Sequence, residues 1–498
     1  MKLLQEQDRL VFRSADFTRQ ERESLLGAGF LQRVIKGWYV ASRPGSPADH
    51  GTPWLAAMTD FIARYCDERF GDDWYVAPGY SLHLHAGATA LPLQVVIHTP
   101  HGTNSVVDLP DGHSLVHYRS PDFPAASRVD RIGGLRVLPI AAALIKVPQS
   151  FFEVSAADAQ IVLAQLADVS DINRELLAGG NSVVAGRLAG ALRAIGRDDL
   201  AADILGTMRS AGYSVSAINP FARELPVLGL ERVRSPYVLR LQLMWRTMRE
   251  DVIREFPTEP GRPTDLEAFM KMVRADYASD AYHSLSIEGC RVTQELVERV
   301  ASGNWNPERH ATDADARNEM VAHGYWRAFE LVTASLRQIL TSGASEAGEI
   351  VRKDHGAWFR ALFAPSVEAG ILAAADLAGY RNGPVYIRGA MHVPPPHEAV
   401  REMMPALFDL LRAEQHAGVR AVLGHFCFVF IHPYMDGNGR IGRFLMNAMM
   451  ASGGYPWTIV RVEWRDEYMA VLDAASARGD IVPLTRFLAR ALSERTRL

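Results

Sequence analysis

Apolar and polar positions change period several times along the chain, and each change predicts an element. Residues 15–28 suggest two short helices. Residues 29–42 (G-F-L-Q-R-V-I-K-G-W-Y-V-A-S) alternate as a hairpin does, with Lys36-Gly37 at its turn. Pro44, Gly45, Pro47, Gly51 and Pro53 mark a linker. Residues 53–67 read as a helix, 81–86 (S-L-H-L-H-A) and 93–99 as strands, and 135–147 and 156–204 as helices rich in alanine and leucine. The pattern breaks over 214–236, at Asn219-Pro220 and Ser235-Pro236. Beyond it nearly every segment has a helical period, starting with a long amphipathic helix over 237–256. Residues 420–431 (R-A-V-L-G-H-F-C-F-V-F-I) are almost wholly apolar, as a buried helix is. Pro433 and the glycines after it stop that helix, and residues 440–450 resume a helical pattern. The fold class expected is mainly α, with a smaller α+β region before residue 221.

Between those two helices lies the stretch with the most chemistry, His432 to Arg443, H-P-Y-M-D-G-N-G-R-I-G-R. Gly437, Asn438 and Gly439 can turn backbone N–H groups inward, because glycine tolerates positive φ. The following helix start favours an anion. Arg440 and Arg443 are three apart, share a face and can clamp phosphate oxygens. Asp436 is the acid of the loop, placed to hold Mg²⁺ beside phosphates. His432 has an ordinary pKa suited to proton transfer near neutrality. One base, one metal ligand and a phosphate cradle suggest transfer of a phosphate-containing group to a hydroxyl. The plainer alternative is a tight connection between helices.

The ordered string resembles the Fic-domain signature H-x-F-x-[D/E]-G-N-G-R-x-x-R, with Tyr434 at the usual Phe. The resemblance covers residues 237–498, about half the chain. It implies an all-helical core with a short β-hairpin flap and a protein adenylyltransferase that moves AMP from ATP, with Mg²⁺, to a Ser, Thr or Tyr hydroxyl. His432 would be the base and Asp436 the magnesium ligand. Gly437, Asn438, Gly439, Arg440, Ile441, Gly442 and Arg443 would line the nucleotide site.

Three further stretches carry the same resemblance. Ser284-Leu-Ser-Ile-Glu-Gly289 matches an inhibitory motif, [S/T]-x-x-x-E-[G/N]. Ser284 and Glu288 are four apart and stack on one helix face, expected over about 281–300. From there Glu288 would pair with Arg443 and misplace the γ-phosphate. Val385, Tyr386 and Ile387, with Arg388-Gly389 in the turn, are expected to form the flap that aligns a target segment. The helix opened by Arg465 resembles the adenine-side wall, with Tyr468 near the base. The alternatives within this site are removal of AMP or transfer of another phosphate-containing group. Self-modification and a homodimer are also compatible.

Residues 1–43 carry eight Lys/Arg against five Asp/Glu. Their helix–helix–hairpin pattern resembles the winged-helix head of AbiEi-type regulators, and residues 44–220 resemble the regulator body. DNA would then be a partner of the head, and a regulator with a dormant Fic domain is the reading of another class. The expected division is a head at 1–43, an α+β body at 44–220, a linker at 221–236 and the Fic domain at 237–498.

Bulk properties narrow the rest. The chain has 498 residues, enough for two or three domains, and a net charge of −4, so it has no global attraction to nucleic acid or anionic membrane. Cys66, Cys290 and Cys427 show neither metal spacing nor a disulfide framework. His83, His85, His98 and His101 read as strand and loop residues rather than a metal set. The polar start and the lack of a long apolar run lead us to expect a cytoplasmic protein with no membrane span.

Overall fold

The computed structural model describes residues 9–42, 52–121, 123, 129–222, 235–302, 313–387 and 390–495. The chain divides into two compact units, one of residues 1–240 and 386–393, the other of 241–385 and 394–498.

The first unit opens with β1 (Val11–Arg13), α1 (Arg19–Gly27), β2 (Leu31–Ile35) and β3 (Trp38–Ala41). The three strands form an antiparallel sheet in the order β1-β3-β2. Thr18 caps α1 by accepting from the Glu21 N–H at 3.3 Å, while Glu21 accepts from the Thr18 N–H at 2.9 Å. Of the two short helices expected over 15–28, the first is a single 3-10 turn, Ser14–Asp16.

Helix α2 (Thr52–Phe70) then leads to β4 (Tyr75–Val76), α3 (Pro78–His85), β5 (Gln94–Thr99), β6 (Val106–Asp108) and β7 (Ser114–Arg119). These strands make a sheet in the order β4-β5-β7-β6, with β5 and β7 parallel. Val95, Ile97 and Leu115 point into a core with Trp54, Phe61 and Trp74. Residues 81–86 are therefore helix, not the strand their alternation suggests. Pro78 supplies the preset φ of a first helical turn, and Ser81 and Leu82 are the buried stripe. Over so few residues a period of two and one of 3.6 look alike. Residues 135–147 likewise divide. A short hairpin of β8 (Asp130–Ile132) and β9 (Leu135–Val137) precedes α4 (Ile140–Lys146), because Pro139 ends the strand. Helices α5 (Gln149–Val154), α6 (Ala156–Ala164), α7 (Ser170–Gly179), α8 (Ser182–Ala194) and α9 (Asp198–Ser210) complete the unit.

Helix α10 (Pro236–Glu255) carries the chain into the second unit, where every named element is helical. After α11 (Leu266–Ala275), α12 (Tyr277–Ile287) and α13 (Gln294–Ala301) come two long helices, α14 (Asp313–Ser342) and α15 (Ala347–Glu368). They approach closely: a Cβ on Gly324 of α14 would stand 2.0 Å from the Leu362 carbonyl oxygen of α15. Helices α16 (His397–Ala413), α17 (Ala417–Ile431) and α18 (Asn438–Ser452) follow, then α19 (Arg465–Arg478) and α20 (Val482–Arg495). Helix α17 is buried on all sides except at Val429, as its unbroken apolar run requires.

Two expectations change here. The helix expected over about 281–300 is two helices. Glu288 is the C-terminal cap residue of α12, Gly289 turns the chain at φ +84°, and Thr293 caps α13. The hairpin expected around Val385–Ile387 is absent as a ladder: those residues are in no strand, and one isolated bridge joins Ala90 to His392. Pro384 and Pro394–Pro396 lack the N–H groups a ladder needs.

Candidate active site

Helix α17 delivers His432 and stops there. The His432 N–H still donates to the Phe428 carbonyl at 3.0 Å, but its φ is +53°, the left-handed region that a non-glycine residue enters at a cost. That turn lifts the imidazole out of the helix direction. Its Nδ1 lies 3.3 Å from the Val429 carbonyl oxygen, so Nδ1 carries the proton and Nε2 keeps its lone pair. Burial lowers the imidazole pKa to about 4, so the ring is neutral at physiological pH.

Arg381 holds this turn. Its Nε donates to the His432 carbonyl at 2.8 Å, its NH1 to Gly383 at 3.0 Å and its NH2 to the Pro395 carbonyl, while its main-chain N–H donates to Pro433 at 2.9 Å. The sequence offered no sign of this role, because all these partners are main-chain carbonyls, which carry no residue signature. Tyr434 is buried and stacks on Phe359 with ring centroids 3.8 Å apart, so an aromatic ring at that position anchors the loop to α15.

The loop then bends into α18 through Gly437, whose φ is +82°. Asn438 spends its side chain on the loop itself. Its Nδ2 donates to the Tyr434 carbonyl at 2.7 Å, and its Oδ1 accepts from the Tyr434 N–H at 2.8 Å. Asn438 can therefore offer a ligand its backbone N–H, not its amide. Asp436 accepts from the Gly437 N–H at 2.5 Å and from Arg440 NH2 at 3.0 Å, both on Oδ1. Its side chain is 69% exposed, and Oδ2 has no hydrogen bond among the described residues. Arg440 lies over the Phe363 ring at 5.1 Å, with its buried Nε unpartnered.

At the start of α18 a carboxylate stands where an anion is favoured. Glu288 Oε1 is 2.7 Å from Arg443 NH2, and a Cβ on Gly439 would meet that same oxygen at 2.3 Å. Ser284 adds its hydroxyl, accepting from Arg443 Nε at 2.9 Å, and its carbonyl, accepting from Arg443 NH2 at 3.0 Å. Burial by itself lowers the Arg443 pKa, but the Glu288 carboxylate outweighs it and holds the pKa above the usual arginine range. Arg443 NH1 remains buried without a partner. Asp280, one turn before Ser284, accepts from Tyr325 at 2.7 Å, and its carboxyl is pushed up to about 6 by burial. The helix end that carries Glu288 is tied from outside: Arg465 Nε donates to the Ile287 carbonyl at 2.9 Å, and the Val462 N–H donates to His283 Nδ1 at 3.2 Å.

Residues 348–450 match the model of the Fic/DOC family. The protein adenylyltransferase Fic of Nematostella vectensis is 32% identical over 232 residues, which is 45% of this chain and 49% of that protein. The protein of the same name from Drosophila willistoni is 31% identical over 229 residues, covering 45% and 41%. The chain thus spans about half the length or less of these curated relatives. Among solved structures, Fic-1 from C. elegans is 20% identical, with 72% of this chain and 90% of that one covered and a TM-score of 0.39. The matched stretch includes the His432–Arg443 loop and stops short of Ser284–Gly289.

Around this loop several residues expected at the nucleotide site also make packing contacts. Ile441 is fully buried in the core. Gly442 packs α18 on α17, where a Cβ would meet Val429 Cγ2 at 3.1 Å and His425 Nδ1 at 3.2 Å. Tyr468 offers no open face for a base: its ring lies between His425 at 5.9 Å and Phe487 at 5.6 Å, and its hydroxyl is hydrogen-bonded to His425 Nε2 at 2.6 Å. Its helical position was legible, but its burial depends on α17 and α20, which are remote in sequence. Val385 is buried, while Tyr386 and Ile387 are partly exposed. Arg388 and Gly389 lie outside the described residues. Among the described residues no His/Cys/Asp/Glu group could hold a metal by itself, and no helix is long and apolar enough to cross a membrane. His83 is instead hydrogen-bonded to Asp158, and His85 to the Leu138 carbonyl.

Proposed function

We propose that this protein is a protein adenylyltransferase restrained by its own Glu288. One observation carries the reading. The Glu288 carboxylate is lodged against Gly439 and Arg443 at the start of α18, so an internal anion occupies a position suited to a phosphate. The unpartnered buried Arg443 NH1 and Arg440 Nε fit a polyanion larger than one carboxylate. The names of the relatives support adenylyl transfer, and with it ATP as the donor.

In the reaction, Nε2 of His432 takes the proton of the target Ser, Thr or Tyr hydroxyl as that oxygen bonds to the α-phosphorus. The bond from this phosphorus to the bridging oxygen breaks, and pyrophosphate leaves. Arg440 and Arg443 bind the departing phosphates, and the N–H groups at Gly437, Asn438 and Gly439 take further oxygens. Asp436, with an uncommitted and exposed oxygen, is the group that would hold Mg²⁺, which supplies charge neutralisation when bound. While Glu288 holds Arg443, that arginine is not free to bind the nucleotide.

The test is incubation with ATP labelled on the α-phosphate. Wild type should label a lysate weakly, Glu288→Gly strongly, and Glu288→Gly/His432→Ala not at all. A correctly folded Glu288→Gly protein that labels nothing overturns the reading.

One observation favours a second activity in the first unit. The element order β1-α1-β2-β3 with sheet order β1-β3-β2 is compatible with the winged-helix resemblance, under which the helix before the hairpin would face duplex DNA. Arg19 and the hairpin residues Arg33 and Lys36 are exposed there, although Arg19 also pairs with Glu23. Duplex binding by the full chain should weaken from about 50 to 200 mM salt. Affinity that ignores salt counts against it.

A further inference from the structure

Helix α12 holds the Arg443 guanidinium through two residues, and they hold it differently. Asp280, Ser284 and Glu288 follow one another at steps of four, so they line one face of α12 and its end. Ser284 binds the guanidinium twice, accepting from Nε on its hydroxyl at 2.9 Å and from NH2 on its carbonyl at 3.0 Å. Glu288 binds it once, accepting from NH2 at 2.7 Å. Arg443 is buried and carries only donors, so each acceptor taken away leaves a buried N–H unmet.

Ser284 is braced on both sides. One turn before it, Asp280 accepts from the buried Tyr325 hydroxyl of α14 at 2.7 Å. Beside it, His283 Nδ1 accepts from the Val462 N–H at 3.2 Å, and beyond it the Ile287 carbonyl accepts from Arg465 Nε at 2.9 Å. Glu288 is the cap residue past the last helical turn, and its side chain is 26% exposed. Gly289 follows at φ +84°, and a Cβ there would meet nothing within 4 Å. The Glu288 side chain thus has room to turn towards solvent without moving Ser284. Once it does, the Ser284 bonds remain, one NH2 hydrogen is released, and NH1 already lacks a partner. That NH1 faces the start of α18, where a Cβ on Gly439 would meet it at 3.2 Å.

We infer that Ser284 is a positioning residue for nucleotide binding rather than part of the restraint: it aims Arg443 at the phosphate position whether or not Glu288 is there. The inference rests on the adenylyltransferase reading for the identity of the anion. Helix α12 then carries two opposed functions four residues apart, a fixed serine that presents the arginine and a movable glutamate that occupies it. The two roles for Ser284 predict opposite results. Removing a serine that served the restraint sets transfer free. Removing a serine that aims the arginine leaves the guanidinium loose in its pocket and weakens its grip on phosphate.

The experiment places Ser284→Ala, Ser284→Cys and Ser284→Thr in the full-length Glu288→Gly protein, and Ser284→Ala also alone. The Kd for ATP is read by calorimetry and transfer by labelling. With Glu288→Gly, Ser284→Ala should raise the Kd and the KM for ATP about tenfold, the loss of one hydrogen bond to a charged group, with kcat within about twofold. Ser284→Cys keeps the volume but accepts weakly, and should move both in the same direction. Ser284→Thr keeps the hydroxyl and should stay within about twofold of Glu288→Gly. Ser284→Ala alone should label no faster than wild type. An unchanged Kd for ATP in the alanine and cysteine variants, a threonine variant as weak as alanine, or faster labelling by Ser284→Ala alone overturns the inference. A Glu288→Gly protein that binds ATP and labels nothing overturns the adenylyltransferase reading instead, while its Kd still tests Ser284. A Glu288→Gly protein that binds no ATP overturns both.

Discussion

The guanidinium of Arg381 donates from Nε to the carbonyl oxygen of His432 at 2.8 Å, and this bond helps hold His432 at φ +53°. The strain of a left-handed histidine persists because the surroundings overdetermine it. Four main-chain carbonyls, those of His432, Gly383, Pro395 and Ile431, accept from that one side chain.

Replacing Arg381 with alanine or lysine in the Glu288→Gly background should therefore release the turn. Transfer should fall about a hundredfold, because a base misplaced by an ångström costs that much. The loss should appear in kcat, with the KM for ATP little changed. Equal effects on both would place Arg381 in nucleotide binding instead.

Removing Glu288 should raise transfer at least about tenfold, since the Arg443 clamp becomes free to bind phosphate. The same change costs about 1–3 kcal/mol of stability in the absence of ATP, because Arg443 is left buried and unpaired. ATP should restore the lost thermal stability, and should raise Tm more in Glu288→Gly than in wild type.

Arg465→Ala removes the donor to the Ile287 carbonyl beside Glu288. A loosened helix end should give partial release, between wild type and Glu288→Gly in labelling rate, about three- to tenfold above wild type for one lost hydrogen bond. Labelling at the wild-type rate would show that Arg443 alone fixes Glu288.

Gly442→Ala tests packing against ligand binding. The added Cβ meets Val429 and His425 at 3.1–3.2 Å. Overpacking of this kind costs about 1–3 kcal/mol, read as a lower Tm, with ATP affinity retained. Loss of ATP affinity at unchanged Tm would return Gly442 to the nucleotide site.

Acid should destabilise the second unit first and inactivate it at lower pH. His432 and His425 both have pKa values lowered to about 4 by burial, against about 6.5 when unfolded. A lowered folded value means the unfolded chain binds protons first. Their contribution is intact above about 6.5 and is lost as pH falls towards about 4. Asp280, raised to about 6, works in the opposite sense: its buried neutral form is favoured as pH falls through that value. Two histidines outweigh one acid, so unfolding free energy should decline from pH about 6.5 to 4, and kcat of the Glu288→Gly protein should hold down to about pH 5.

The sequence made the helical second half and the His432–Arg443 loop legible, because both are local. An unbroken apolar run calls for burial on every side, and Gly-Asn-Gly calls for a turn whatever surrounds it. It misread residues 81–86, where the alternation covers too few positions to separate helix from strand. It placed Tyr468, Gly442 and Asn438 at the nucleotide site without showing what else holds them. Each is placed by partners that no neighbouring residue announces: His425 and Phe487 around Tyr468, Val429 beneath Gly442, and the Tyr434 main chain at Asn438.

By itself, then, the order of residues determined which groups are chemically able to act: an imidazole after a buried helix, a glycine bend, two arginines on one face and a carboxylate in a recognisable string. The folded chain decided which of them meet. Glu288 and Arg443 are 155 positions apart, and only the packing of α12 near the start of α18 closes that distance to 2.7 Å. The physical reason is that hydrogen bonds and ion pairs act over a few ångströms, while sequence spacing constrains position only within one element.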